Sequence, residues 1–165
     1  MNTREQSELK WIAGVALLAL VLVSLVWATT SATGHLGGYD FDGRFYAAMA
    51  GDSHFPAAFS RVAPWCFRVL TPALVAVLPT APLTGFVVVS FVSNVLSLVL
   101  LERILRQVGC SPRHRVLGVL LYAGTFWTLK FSFYSPAYID HQSQLYLLLI
   151  LYLTLRRAYA WLPLV

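Results

Sequence analysis

The sequence predicts an all-α integral membrane protein with about four transmembrane helices. Three observations carry this reading. Apolar residues make up 58% of the 165 positions and charged residues only 12%, against roughly a quarter charged in soluble domains. The apolar residues fall into long runs rather than amphipathic stripes, with a mean hydropathy of +0.69. The remaining charges gather mostly between those runs. A chain of this kind has too little polar surface to clothe a water-soluble globule, whereas a lipid solvent accounts for all three features.

The elements follow in chain order. After a short polar start, Trp11 to Thr29 is uncharged and long enough to cross a hydrocarbon core of about 30 Å. Trp11 and Trp27 stand at its two ends, where aromatic belts form. The run exceeds the roughly 7–15 residues of a signal-peptide core and no small-residue cleavage site follows, so it is read as an uncleaved first helix. Residues 30–68 form a long outer loop. It opens as Gly-rich coil, and a short surface helix is predicted from about Asp40 to Ala50. Phe41, Phe45 and Ala48 would share one face of it, and Asp42, Tyr46 and Met49 a neighbouring one. Pro72 suits a first helical turn, and Pro79 and Pro82 stop that helix early, giving a short Pro-bounded immersed helix.

The second crossing is predicted at 84–101, with Asn94 bonding to a neighbouring helix. A basic loop, 102–115, leads to a third crossing at 116–134, near whose far end Lys130 can snorkel. After the polar break SPAYIDHQSQ, a fourth crossing is predicted at 138–155, closed by Arg156 and Arg157. A further apolar stretch, AYAWLPLV, follows. The expected organisation is a single membrane domain over 1–165, forming the amino-terminal part of a larger multi-spanning protein.

Charge fixes the expected orientation. With the amino terminus in the cytoplasm, eight basic residues lie inside: Arg4, Lys10, Arg103, Arg106, Arg113, Arg115, Arg156 and Arg157. Arg44, Arg61, Arg68 and Lys130 lie outside, which satisfies the positive-inside rule for the inner (plasma) membrane. Once the acids of each side are included, the whole net charge of +5 sits on the cytoplasmic side. The basic balance is therefore a topology signal, and no nucleic-acid partner is expected. Cys66 and Cys110 fall on opposite sides, so no disulfide joins them.

No P-loop, GxGxxG, nucleophile elbow or metal-ligand Cys/His spacing is present, and no metal site is assigned. Four of the seven acids lie on the outer side, most of them in two short loops. Asp40 and Asp42 stand in GGYDFDGRFY, and Asp140 precedes His141 in SPAYIDHQ. Both loops face one aqueous side, so their carboxylates could converge at a cleft. An acid that opens a helix also serves simply as a cap for free N–H groups; that reading stands beside the chemical one for Asp40 and Asp140, and a structural role stands beside it for Asp42. Arg61 and Arg68 are equally open to two roles, anchoring a helix at headgroup level or gripping a phosphate with the guanidinium fork.

The order of elements resembles the amino-terminal part of GT-C-type glycosyltransferases, multi-spanning enzymes that use polyprenyl-phosphate-linked sugars. The Asp-Gly-x-x-Tyr of their first outer loop is matched by Asp42-Gly43-Arg44-Phe45-Tyr46. Their Arg-x-Leu-x-Pro-x-Leu is matched by Arg68-Val69-Leu70-Thr71-Pro72-Ala73-Leu74. Tyr138-Ile139-Asp140-His141 is similar to a Tyr-x-x-Asp loop ahead of a Leu-rich helix, with His141 where relatives tend to have Pro. The likeness runs from about Trp11 to Leu155.

The resemblance implies transfer of a sugar from a polyprenyl-phosphate donor to an acceptor hydroxyl on the outer face, with an outer-loop carboxylate as general base. Asp42 is the first candidate, then Asp140, then Asp40. Arg44, Tyr46, Arg61, Arg68 and His141 form the implied substrate-binding set. A divalent cation is the one cofactor suggested, on Asp140 in a metal-using relative. GT-C enzymes are much longer and have more membrane helices, so catalysis by these 165 residues alone is not expected. The alternative is a small non-catalytic membrane subunit or assembly partner, whose contacts would be Phe41, Phe45, Tyr46 and Trp65. A transporter fits less well, because the spanning cores hold no acids of the kind that mark ion pathways.

Overall fold

The computed structural model describes residues 3–30, 39, 42–61, 69–125, 129–137 and 140–164. Every regular element among them is helical: α1 (Thr3–Thr29), α2 (Gly43–Met49), α3 (Leu70–Ala76), α4 (Pro82–Gln107), α5 (Pro112–Gly124), α6 (Phe131–Tyr134) and α7 (Asp140–Leu155), with 3₁₀ turns at Ala57–Arg61 and Tyr159–Leu164. Two of these helices are long and apolar enough to cross a membrane, α1 over Gln6–Thr29 and α4 over Pro82–Gln107.

The centre of the molecule is α4, which packs against α1, α3, α5, α6 and α7. Its start and stop are both written locally. Pro82 takes the first helical position, where its missing N–H costs nothing. At the other end Gly109 adopts φ +87°, the Cys110 N–H reaches back to Leu105 O at 3.0 Å and the Gly109 N–H to Arg106 O at 3.1 Å. This is a glycine-closed helix end. Ser111 then precedes α5 with Pro112 in its first turn, so α5 folds back along α4.

α1 runs antiparallel to α4. Val15, Ala19 and Val23 are buried at intervals of one helical turn, and Ala19 and Val23 join a core with Leu98, Val119, Ala123, Leu129 and Phe133. Trp27 meets Phe91 edge-on at 6.1 Å. Leu22 and Val26 pack partly against the same core, while Leu17, Leu20, Val21 and Leu25 are exposed.

At the other end of that contact the sequence-based boundary moves. Residues 102–107 were placed in a polar loop, yet α4 continues to Gln107. The reason is Glu102, only 1% exposed. One carboxylate oxygen accepts the Trp11 indole N–H at 2.6 Å and an Arg115 N–H at 2.5 Å, while the Arg115 guanidinium lies 4.7 Å from the Trp11 ring centroid. Arg103 adds a longer contact to the other oxygen at 3.7 Å. A charged residue with these partners stays helical because leaving them unmade costs more than extending the helix.

A stripe of small polar residues, Ser90, Ser93, Asn94 and Ser97, is buried along one face of α4. Asn94 donates to the Ser132 hydroxyl at 2.6 Å, which is the interhelical bond expected of it. Ser132 in turn donates to Leu129 O at 2.7 Å, and Gln142 of α7 reaches Ser90 at 3.4 Å. Small side chains on this face let the neighbouring backbones approach.

Among the described residues, the third and fourth predicted crossings hold helices shorter than the spans expected of them. α5 ends at Gly124, where Thr125 turns extended and its hydroxyl bonds back to Leu121 O at 3.1 Å; α6 then covers only Phe131–Tyr134. A β-branched residue after glycine, with a side chain that competes for the helix carbonyls, is a poor place to continue a helix. α5 alone spans about 20 Å and α7 about 24 Å at 1.5 Å per residue, less than a hydrocarbon core of about 30 Å.

Removing the Glu102 carboxylate strands the Arg115 charge and the Trp11 N–H in a buried site. Glu102→Ala is expected to destabilise the fold by about 3–5 kcal/mol, read as a lower thermal midpoint of the detergent-solubilised protein. An unchanged midpoint would remove this carboxylate from the forces holding α1, α4 and α5 together.

Candidate functional site

The predicted site lies at the end of the bundle opposite Glu102. There α2 packs against α3 and the start of α4, through a core of Tyr46, Ala47, Ala50, Val75, Phe86 and Ala137. Gly43 is the pivot. A Cβ at this position would stand 3.0 Å from the Ala137 Cβ, so the absence of a side chain lets the two chains touch. The Asp42–Gly43 turn is therefore seated against Ala137, three residues before α7 opens at Asp140. The backbones of the two acidic loops meet.

Asp42 occupies the N-cap position of α2 and its backbone carbonyl accepts the Phe45 N–H at 2.9 Å. Its half-buried side chain makes no capping hydrogen bond, so capping does not explain the carboxylate. Arg44 is exposed, with its guanidinium 4.9 Å from the Phe45 ring centroid. Arg61 is exposed at the end of the 3₁₀ turn. Tyr46 is 0% exposed and packed inside the α2–α3–α4 core, where it holds α2 in place. The helix face that carries Tyr46 turned inward because α3 and α4 supply apolar partners there. Asp40 and Arg68 fall outside the described residues, as do the side chains of Asp140 and His141, whose backbones form the first turn of α7.

Of the aromatic contacts expected for a non-catalytic subunit, Phe45 and Tyr46 are both buried. Phe41 and Trp65 fall outside the described residues. Among the described residues, no group of three or more His, Cys, Asp or Glu side chains could hold a metal ion.

One built feature at this end was missed by sequence reasoning. Asp52, 6% exposed, follows α2 and accepts the Tyr39 hydroxyl at 2.6 Å on one oxygen. Its other oxygen takes the His54 backbone N–H at 3.0 Å and faces the His54 Nδ1 at 2.7 Å. Tyr39 also stacks edge-on with Phe55 at 5.1 Å. This clasp ties the residue leading into the acidic turn to the segment leaving α2, and so fixes the turn that carries Asp42. The Asp-x-His spacing of Asp52 and His54 was the available signal; nothing in the sequence announced Tyr39 as its third member. The His54 side chain is 85% exposed, so the ring is oriented from one nitrogen while most of it meets solvent.

The clasp shifts two ionisations. Burial, then the hydrogen bond to Asp52 and the nearby negative charge, push the Tyr39 hydroxyl above its ordinary value. Burial alone would raise Asp52, but the hydrogen bonds from the Tyr39 hydroxyl, the His54 amide and the His54 ring outweigh it and hold the carboxyl below its usual range.

Comparison with protein-family models, with curated proteins and with solved structures finds no match.

The lowered Asp52 ionisation sets a pH dependence. The folded state binds fewer protons than the unfolded one around the unfolded carboxylate value near 4. Its stabilising contribution is therefore complete above that value and disappears as pH falls through the folded-state ionisation. Acid unfolding followed from about pH 5 to pH 2 should cost the wild type more stability than Asp52→Asn. Parallel curves would show that the clasp does not depend on the charge.

Proposed function

We propose that the chain is a multi-pass inner-membrane protein of the GT-C glycosyltransferase type, with its amino terminus in the cytoplasm. It transfers a sugar from a polyprenyl-phosphate donor to an acceptor hydroxyl on the outer face, as part of a complete enzyme. The observation that carries this reading is the seat of Gly43 on Ala137, which draws the Asp42 turn and the start of α7 to one end of the bundle. The opposite end holds Glu8, Lys10, Arg103, Arg106, Arg115 and Arg156, as a cytoplasmic end should.

In the membrane α1 and α4 span fully, α5 and α6 together make a broken third crossing, and α7 makes the fourth. The few ångströms by which α7 falls short are met by local thinning of the bilayer and by snorkelling of Arg156. Beyond the end of α5, Leu129 and Phe133 are buried against α1, α4 and α5, so this part of the crossing lies within protein rather than against lipid.

The chemistry assigned to the outer end follows from a carboxylate and guanidinium groups. Asp42 takes the proton of the acceptor hydroxyl as that oxygen attacks the anomeric carbon. The bond from that carbon to the phosphate oxygen breaks, and polyprenyl phosphate leaves with the electron pair. Arg61 or Arg68 offsets the charge growing on the departing phosphate. Asp140, at the mouth of α7, orients the acceptor.

Positioned general bases contribute about 10²–10⁴-fold in rate. Asp42→Asn in the complete protein should therefore reduce sugar transfer by at least about 100-fold while leaving the amount of protein in the membrane fraction unchanged. Undiminished transfer would take Asp42 out of the mechanism.

Orientation has its own test. In intact cells a membrane-impermeant maleimide should label Cys66 and spare Cys110 until the membrane is opened. Labelling of Cys110 from outside would reverse the topology.

A further inference from the structure

At the basic end, α1, α4 and α7 enclose an open groove of about 680 Å³, lined by Glu8, Ile12, Arg103, Arg106, Gln107, Tyr152 and Arg156. Three guanidinium groups face one carboxylate there. That carboxylate is already engaged, since Glu8 pairs with Arg106. Glu102, the nearest other acid on α4, is turned to Arg115 and Trp11 and is buried, leaving Arg103 only a long contact at 3.7 Å. Arg156 is exposed beside the Tyr152 ring, 5.9 Å from its centroid. The groove thus gathers a surplus of positive charge, on side chains whose planar forks suit phosphate oxygens.

The walls say what kind of phosphate. Ile12 and Tyr152 belong to the apolar runs of α1 and α7, and both helices expose aliphatic side chains farther along, Leu17 and Leu20 on α1 and Leu147 and Leu151 on α7. A headgroup held by the arginines would leave its acyl chains at the depth of these apolar helices, beside the Ile12 and Tyr152 wall. A free phosphate would use only the charged rim and make no use of the apolar wall at Ile12.

We propose that this groove is a binding site for the phosphate group of an anionic phospholipid, held by Arg103, Arg106 and Arg156. Basic pockets between membrane helices on the cytoplasmic side take such headgroups. The site rests on the membrane reading given above, but not on the transferase reading. It differs from a general positive-inside effect because it assigns the binding to three particular arginines; Arg113 and Arg157 carry the same charge and do not line the groove.

The experiment compares the full chain with two charge-matched double variants, Arg103→Gln/Arg156→Gln in the groove and Arg113→Gln/Arg157→Gln outside it. Each is titrated in neutral detergent with phosphatidylglycerol, phosphatidylcholine or inorganic phosphate, and binding is read from the rise in thermal midpoint. The expected result is saturable stabilisation by phosphatidylglycerol alone, kept by the outer pair and weakened at least tenfold in apparent affinity by the groove pair. Arg103→Lys/Arg156→Lys, which keeps the charge but loses the fork, should fall between the two and guards against a groove pair that fails to fold.

Equal weakening in both Gln pairs would overturn the site, leaving only diffuse attraction. Equal stabilisation by phosphatidylcholine would overturn it too, and equal stabilisation by inorganic phosphate would overturn the lipid as its occupant. Flotation with phosphatidylcholine liposomes separates the two levels. Protein that floats yet shows no preference for phosphatidylglycerol overturns the groove alone, whereas protein that does not float overturns the membrane reading with it.

Discussion

The arrangement depends on one buried carboxylate. Glu102 is the one acid of α4, and its partners come from two other elements, Trp11 from α1 and Arg115 from α5. A charge taken out of water is tolerated only when it is paired and hydrogen-bonded, so this group can stay buried only if three helices align in one register. Glu8 and Arg106 repeat the tie one turn farther along α1 and α4. Apolar packing between smooth helices is permissive about rotation and sliding; a buried ion pair with an indole donor is not.

From that anchor the rest of α4 is positioned. Another face of the helix carries Ser97, Asn94, Ser93 and Ser90, all buried, and these small polar groups accept the close approach of α6 and α7. Following the same helix to its beginning reaches Phe86, which packs with Tyr46, Val75 and Ala137. A single helix thus carries a charged tie at one end and the support for the acidic turn at the other. The Tyr39–Asp52–His54 clasp closes the turn from outside. The glycine of Asp42-Gly43, where any side chain would press on Ala137, lets the turn lie against the entry to α7.

Much of this was legible along the chain. Pro72 marked the first turn of α3, and Pro79 and Pro82 its early stop, because the effect of proline on the backbone is local. Apolar runs located α1 and α4, and Asn94 was recognised as an interhelical donor because a buried amide must find a partner. Other features were not legible. Glu102 read as a loop residue because a lone acid beside arginines looks solvated until its partners, one of them 91 positions away, are brought to it. Tyr46 read as a ligand-facing ring because the inward face of α2 is chosen by α3 and α4. The break after Gly124 was hidden by the unbroken hydropathy of the third run.

By itself the sequence determined the helical class, the places of the two membrane-length helices among the four runs it offered, the segregation of charge and the Pro-bounded α3. These follow from composition, periodicity and the stereochemistry of single residues, which act over a few positions. Only the tertiary structure decided which charges are buried, that Asp52 forms a clasp, and that the Asp42 turn rests beside the start of α7. Each of those depends on helices distant in sequence packing in one register, and the free energy of a contact between them exists only once that register is formed.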